Sequence, residues 1–117
     1  MPRDPRTWLY DIVQAGERLA RFLSDKNWDD YQGDELLRAG VERQFEIIGE
    51  SLGQLRRHSP ELAGRVREHE KIIGFRNVLI HGYAVVDDAI VGSVATEKLP
   101  TLLADVRTVL DDLTGPD

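Results

Sequence analysis

Apolar residues recur every three or four positions along most of the chain, which is the spacing of one face of an α-helix. The first stripe begins at Trp8 and predicts a helix over about residues 5–25. Its members are Trp8, Ile12, Ala15, Leu19 and Phe22. The segment Asn27-Trp28-Asp29-Asp30 breaks this pattern, and a second stripe predicts a helix over about residues 31–57.

Residues that start and stop helices divide the rest of the chain. Ser59 is a candidate N-cap with Pro60 at the first helical position, and a short helix is expected over about residues 60–67. A third long helix is predicted to begin near His69 or Glu70.

Gly82 is placed to end that third helix, because glycine readily adopts the left-handed conformation of a helix C-terminus. Asp87 is a candidate N-cap for the last helix, which Pro100 should kink or split because proline lacks a backbone N–H. No alternating strand pattern of useful length is present. We therefore predict an all-α fold, an antiparallel bundle of four to five helices in one domain spanning residues 1–117.

Three glycines lie inside the predicted second helix. Gly40, Gly49 and Gly53 each cost about 1 kcal/mol relative to alanine in a helix interior. Three such residues in one helix predict that another backbone packs closely against it.

Composition excludes several classes of site. The chain has no cysteine, so disulfides, zinc ribbons, iron–sulfur clusters and thiol nucleophiles are ruled out. No apolar run approaches the ~18 residues of a membrane span, and the N-terminus lacks the apolar stretch of a signal peptide. We expect a cytoplasmic protein that does not associate with membranes and needs no cofactor or metal.

Charge is distributed unevenly. The net charge is −6, which disfavours nucleic-acid binding by the chain as a whole. The window from Arg56 to Arg76 nevertheless holds six cations and three anions, a net of +3, which leaves −9 for the remaining residues. This basic centre could bind an anionic ligand, or it could consist of a few solvated helix faces.

Candidate chemistry is concentrated between Gly74 and Ala84. Arg76, Asn77, His81 and Tyr83 bring together a permanent cation, an amide, an imidazole and a phenol. Asn77 and His81 share a helix face, but Arg76 and His81 are five residues and so about 140° apart. A continuous helix would not bring Arg76 and His81 together. Either Gly82 redirects the chain or a second subunit completes the site.

Each of these residues also has an ordinary structural interpretation. Arg76 could form a surface salt bridge with Glu70 or with an acid on a neighbouring helix. His81 could be a C-terminal helix residue favoured by the macrodipole, and Tyr83 an aromatic at the edge of the core.

Taken together, the residues resemble a known motif. Arg76, His81 and Tyr83 match the Arg-x4-His-x-Tyr pattern of the HEPN superfamily, and the chain most closely resembles its HepT-like toxin family. The similarity extends over nearly the whole chain. Other segments that carry it are Glu46-Ile47-Ile48-Gly49-Glu50-Ser51, Phe75-Arg76-Asn77, His81-Gly82-Tyr83 and Leu99-Pro100.

This resemblance implies a metal-independent endoribonuclease, the toxin of a type VII toxin–antitoxin pair, with transfer RNA as its substrate class. It further implies a homodimer in which motifs from two protomers line one cleft. The partner would be an MntA-type nucleotidyltransferase antitoxin that transfers AMP onto Tyr83 and so silences the nuclease.

The residues suit that chemistry. His81 titrates near neutrality and can accept a proton from the 2′-hydroxyl, while Arg76 offers a planar donor fork to phosphate oxygens. Asn77 is a third candidate catalytic residue, positioning the backbone or His81. Glu46 and Glu50 lie one turn apart and could hold magnesium, although a solvated face or intrachain ion pairs are the simpler interpretation.

Two other function classes remain open at this stage. One is a non-catalytic module that binds a nucleotide or the nucleotidyltransferase partner. The other is a purely structural helical dimer.

Overall fold

The computed structural model describes residues 4–81 and 88–115, and every regular element in these ranges is helical. In chain order the elements are α1 (Pro5–Leu23), α2 (Trp28–Gly33), α3 (Glu35–His58), α4 (Pro60–Gly64), α5 (His69–His81), α6 (Asp88–Ser93), a π-helical segment (Val94–Lys98) and α7 (Leu99–Thr114). The all-α bundle predicted from periodicity is confirmed. Its long rods are α1, α3, α5 and the continuous run from α6 to α7.

The first helix agrees with the prediction. The Asp4 side chain accepts a hydrogen bond from the backbone N–H of Arg6 at 2.9 Å, and Pro5 occupies the first turn, where it has no N–H to leave unsatisfied. The apolar stripe from Trp8 to Leu19 is buried along its length.

The predicted start of the second helix, at residue 31, is wrong. Asn27 and Asp30 form a reciprocal capping box, which starts the separate short helix α2 at the point where the apolar pattern breaks. Asp34 then ends α2 and caps α3, because its carboxylate accepts a hydrogen bond from the N–H of Leu37 at 3.0 Å. Capping chemistry, and not hydrophobic periodicity, divides this stretch in two.

The helix predicted over residues 60–67 is shorter than expected. Pro60 begins α4, but Ser59 makes no capping hydrogen bond with its side chain. The helix ends at Gly64, and Glu68 adopts a left-handed φ of 59°. The N–H of Arg67 donates to the carboxylate of Asp105 in α7 at 2.9 Å. A tertiary contact therefore takes the backbone donor that a longer helix would have used.

The interruption predicted at Pro100 is confirmed and takes the form of a π-helical segment. The five residues Val94–Lys98 are wound more loosely than an α-helix and lead directly into α7, which carries Pro100 in its first turn. Gly82 and Asp87, the predicted helix stop and N-cap, lie outside the described residues.

Ring contacts and close approaches show how the rods pack. Trp8 near the start of α1 stacks on His58 at the end of α3, with ring centroids 5.2 Å apart, so these two helices are antiparallel. Phe45 of α3 meets Phe75 of α5 edge to face. Gly16 allows α1 to approach α7, where a Cβ would meet the Leu103 side chain at 2.5 Å.

The prediction that another backbone packs against the three helix glycines is confirmed at one of them. A Cβ at Gly49 would lie 2.6 Å from Cγ of Arg76 and closer still to its Cβ, so α5 crosses α3 at this point. At Gly40 the neighbour is the Phe22 side chain, 3.4 Å from the place a Cβ would take, and at Gly53 nothing described lies within 4 Å. Within the part of the chain that the structure describes, the prediction is therefore wrong for Gly40 and Gly53.

Candidate active site

The motif arginine lies at the crossing of α3 and α5. Gly49 has no side chain to obstruct Arg76, and Glu50, the next residue, binds it. The Arg76 Nη2 atom donates to Oε2 of Glu50 at 2.6 Å. The Gly49-Glu50 pair thus performs two tasks, because the glycine admits the arginine and the glutamate orients its guanidinium.

A second hydrogen bond further restrains Arg76. Its Nη1 atom donates to Oδ1 of the exposed Asn77 at 3.2 Å. Its Nε atom is buried and has no hydrogen-bond partner among the described residues. Each Nη nitrogen carries two N–H groups, so one on each remains after the bonds to Glu50 and Asn77.

The motif histidine ends the same helix. Helix α5 continues without a break from His69 to His81, so Arg76 and His81 remain about 140° apart around the axis. The side chain of His81 lies outside the described residues, as do Gly82 and Tyr83. The structure therefore shows a hydrogen bond between Arg76 and Asn77. The convergence of these two residues with His81 and Tyr83 in one site stays a prediction.

Two grooves meet at the Glu50–Arg76 ion pair. The larger, of about 940 Å³, runs between α1 and α3 past the Trp8–His58 stack. The smaller, of about 500 Å³, lies over Gly53 and is bordered by Arg57 and Asn77. The motif arginine is therefore accessible from both sides of α3.

Most of the basic window is neutralised by ion pairs. Four of its six cations have acidic partners: Arg65 with Asp112, Arg67 with Asp105, Lys71 with Glu68, and Arg76 with Glu50. Arg56 and Arg57 are exposed and have no hydrogen bond or ion pair from their side chains within the described part of the chain. Among the described residues, the unpaired cations of the window are thus two adjacent arginines.

Two carboxylates in these ion pairs have lowered pKa values. The side-chain hydrogen bond from Arg67 lowers the pKa of Asp105 from its ordinary value of 3.8, against the opposing effect of burial. Hydrogen bonds from Lys98 and Lys71 lower the pKa of Glu68. These contacts attach the segment between α4 and α5 to the C-terminal rod.

The alternative role of Glu46 and Glu50 as magnesium ligands finds no support in this arrangement. Glu50 is engaged by Arg76, which is the intrachain ion pair that the sequence left open. Among the side chains described, no group of three or more His, Asp or Glu residues could hold a metal ion. In the same part of the chain, no helix combines the length and apolar character needed to cross a membrane.

One feature of the site was predicted only in general terms, and another was not predicted at all. The sequence allowed a salt bridge from Arg76 to an acid on a neighbouring helix, but it did not single out Glu50, which lies 26 positions away. The Trp8–His58 stack had no local signal, since its members lie at opposite ends of the first 58 residues.

The family model and the relatives that match this chain are all described as ribonucleases. The family model described as "Ribonuclease HepT-like" matches residues 12–109. A provisionally named RNase of Methanocaldococcus jannaschii is 29% identical over 107 residues, covering 92% of this chain and 97% of the relative. Another, from Caldanaerobacter subterraneus subsp. tengcongensis, is 31% identical over 108 residues, with coverages of 92% and 96%. A provisionally named ribonuclease HepT of Thermococcus cleftensis is 29% identical over 106 residues, with coverages of 87% and 92%. No solved structure gives a significant match.

Proposed function

Because the chain belongs to the HepT-like ribonuclease family, of the HEPN type, we propose that it is a metal-independent endoribonuclease that cleaves RNA, with transfer RNA as its substrate class. The observation that carries the proposal is the restrained guanidinium of Arg76. A cation held by Glu50 and Asn77 between two grooves suits the binding of a phosphate group in a fixed orientation.

The proposed reaction divides the work between Arg76 and His81. His81 accepts the proton of the ribose 2′-hydroxyl, and the 2′-oxygen forms a bond to phosphorus. The bond from phosphorus to the 5′-oxygen breaks, and that oxygen takes up a proton from water as it leaves, so a cyclic phosphate and a 5′-hydroxyl result. The free N–H groups of Arg76 stabilise the charge that develops on the phosphate oxygens. Asn77 acts by orienting Arg76.

The angular separation within α5 supports a dimeric site. Arg76 and His81 of one protomer are five residues apart on a continuous helix, so their backbone positions differ by about 140° around its axis. We propose a homodimer in which the Arg76 and His81 motifs of both protomers face one cleft.

The proposed physiological role is that of a toxin whose activity is controlled by an MntA-type nucleotidyltransferase antitoxin. Transfer of AMP onto Tyr83 would place a phosphate and an adenine near Arg76. The phosphate would compete for the guanidinium, and the adenine would block the cleft.

The activity is tested with the purified full chain on a mixture of transfer RNAs, with and without EDTA. We expect cleavage that survives EDTA and is lost in Arg76→Ala and in His81→Ala, since removing a positioned general base costs about 10²–10⁴ in rate. Arg21→Ala is the matched control, because Arg21 is an exposed arginine at the far end of α1. Circular dichroism checks that each variant keeps its helices.

Two results would contradict the proposal. Unchanged cleavage by His81→Ala would remove His81 from the mechanism, and an absolute requirement for magnesium would overturn metal independence. Absence of cleavage by the wild-type chain, together with retained binding of a nucleotide or of the nucleotidyltransferase, would favour the non-catalytic module.

A further inference from the structure

The two cations left over by ion pairing lie beside one groove. Arg56 and Arg57 border the smaller groove, at whose other side lie Arg76 and Asn77. Glu50 is the one acid among the described residues lining this groove, and it is paired with Arg76. Three guanidinium groups against one carboxylate give the groove a local charge of +2 on a chain whose net charge is −6.

The larger groove has the opposite charge. Asp11, Glu46 and Glu50 face Arg43 and Arg76 there, a balance of −1 with His58 neutral. Both grooves reach the motif arginine, but only the smaller one has an excess of cations. A polyanion that approaches Arg76 is therefore attracted through the groove over Gly53 and repelled from the groove beside Trp8.

Gly53 keeps the floor of the smaller groove free of side chains. Glycine is disfavoured in the interior of a helix, and no described atom lies within 4 Å of the place a Cβ would take. Packing within the described chain therefore does not explain the glycine. An extended ligand in the groove would explain the glycine, because the ligand could approach the backbone of α3 at this point.

We propose that the groove over Gly53 binds the sugar-phosphate backbone of single-stranded RNA, with Arg56 and Arg57 contacting phosphates next to the one held by Arg76. This inference rests on the proposed function and adds the path of the substrate. The cations lie within a groove of about 500 Å³ between two helices, which suits one extended strand better than a duplex. Amide groups of Gln54 and Asn77 offer further hydrogen bonds to the strand.

Binding is measured separately from cleavage with a fluorescent single-stranded oligonucleotide whose 2′-hydroxyls are methylated. The full chain is titrated at several salt concentrations. We expect the double variant Arg56→Gln/Arg57→Gln to reduce the slope of log affinity against log salt by about 1.4, since each phosphate contact to a single strand contributes about 0.7. Over a fourfold rise in salt, wild-type affinity should then fall about sevenfold more than that of the double variant. Arg21→Gln is the matched control and should leave the slope unchanged.

A second pair of variants tests the floor of the groove. Gly53→Ala places a methyl group between the α3 backbone and the proposed strand and should weaken binding, whereas Gly53→Glu should weaken it further, at least tenfold, because it adds more bulk and a negative charge. Circular dichroism confirms that both variants are helical.

The possible outcomes separate this inference from the proposed function. An unchanged salt slope in the double variant, or wild-type affinity in Gly53→Glu, would overturn the RNA path even if the protein cleaves RNA. Arginine-dependent binding without any cleavage would support the path and count against the nuclease. If polyglutamate binds in the same arginine-dependent way and the oligonucleotide does not, the groove is a protein-docking site and the inference is wrong.

Discussion

The crossing of α3 and α5 at Gly49 gives a sharp prediction, because one methyl group there should affect both stability and activity. In Gly49→Ala the new Cβ would lie 2.6 Å from Cγ of Arg76, whereas ordinary contacts begin near 3.4 Å. The obstructing atoms belong to the base of the side chain and not to its flexible end. Relief therefore requires α5 to move by more than about 0.8 Å, the difference between those two distances, because the contact with Cβ of Arg76 is closer still.

The magnitude follows from two opposing effects. Replacing a helix-interior glycine with alanine stabilises by about 1 kcal/mol. Overpacking a well-packed contact costs about 1–3 kcal/mol, and the upper part of that range applies because a backbone must shift. We therefore expect Gly49→Ala to lower the free energy of unfolding by about 1–2 kcal/mol. For a chain of this length, that corresponds to a loss of roughly 4–8 °C in Tm.

Gly53→Ala is the matched control, since it lies one turn further along α3 with open space at its Cβ position. It gains the same helix propensity without the clash and should raise the free energy of unfolding by up to about 1 kcal/mol. Thermal melts followed by circular dichroism measure both variants. Gly49→Ala should also reduce RNA cleavage, because displacing α5 separates Arg76 from Glu50.

The pair of variants has a clear refuting result. If Gly49→Ala is as stable as Gly53→Ala, the close approach of α5 at this position is wrong. If Gly49→Ala is destabilised but cleaves RNA at the wild-type rate, the position of Arg76 against Glu50 does not matter for activity.

The remaining predictions concern acid stability, positioning, modification and assembly. Asp105→Asn should lower Tm at pH 7, and its difference from wild type should shrink as the pH falls below 3.8. The lowered pKa of Asp105 means that its ion pair stabilises the fold above that pH and that this stabilisation is lost in acid. Equal melting curves at pH 7 would contradict this. Glu50→Gln should reduce kcat about tenfold, since a neutral acceptor orients Arg76 less strongly, and unchanged turnover in a folded variant would exclude a positioning role. Incubation with the cognate nucleotidyltransferase and ATP should add AMP to the wild type and not to Tyr83→Phe, as read by mass spectrometry, and equal incorporation would place the acceptor elsewhere. Light scattering should give a mass near twice 13.3 kDa at micromolar concentration, and a monomer would argue against the shared cleft.

Interactions between near neighbours in the chain were readable from the sequence alone. The stripe from Trp8 predicted α1, and Pro100 predicted an interruption that the structure shows as a π-helical segment. These features depend on helix periodicity and on the missing proline N–H, which act within one or two turns. The motif spacing of Arg76, His81 and Tyr83 is equally local, and together with the Gly49-Glu50 segment it suggested the family.

Local sequence signals determined the ends of the short helices only in part. The boundary at Asp34 follows from a local cap that hydrophobic periodicity does not register. The end of α4 depends on Asp105, a residue 38 positions beyond Arg67, whose carboxylate takes the backbone N–H. No local pattern contains that acceptor.

The charges of the candidate site were decided by tertiary packing. In the sequence, Arg56, Arg57 and Arg76 belong to one basic window and are equivalent as cations. In the fold, Arg76 is restrained by Glu50 while Arg56 and Arg57 are left unpaired, among the described residues, beside a groove. The sequence by itself determined that these helices form and which residues they carry. Which charges neutralise each other depends on which helix faces meet. The crossing of α5 over α3 at Gly49 decides this, because it brings Arg76 to Glu50.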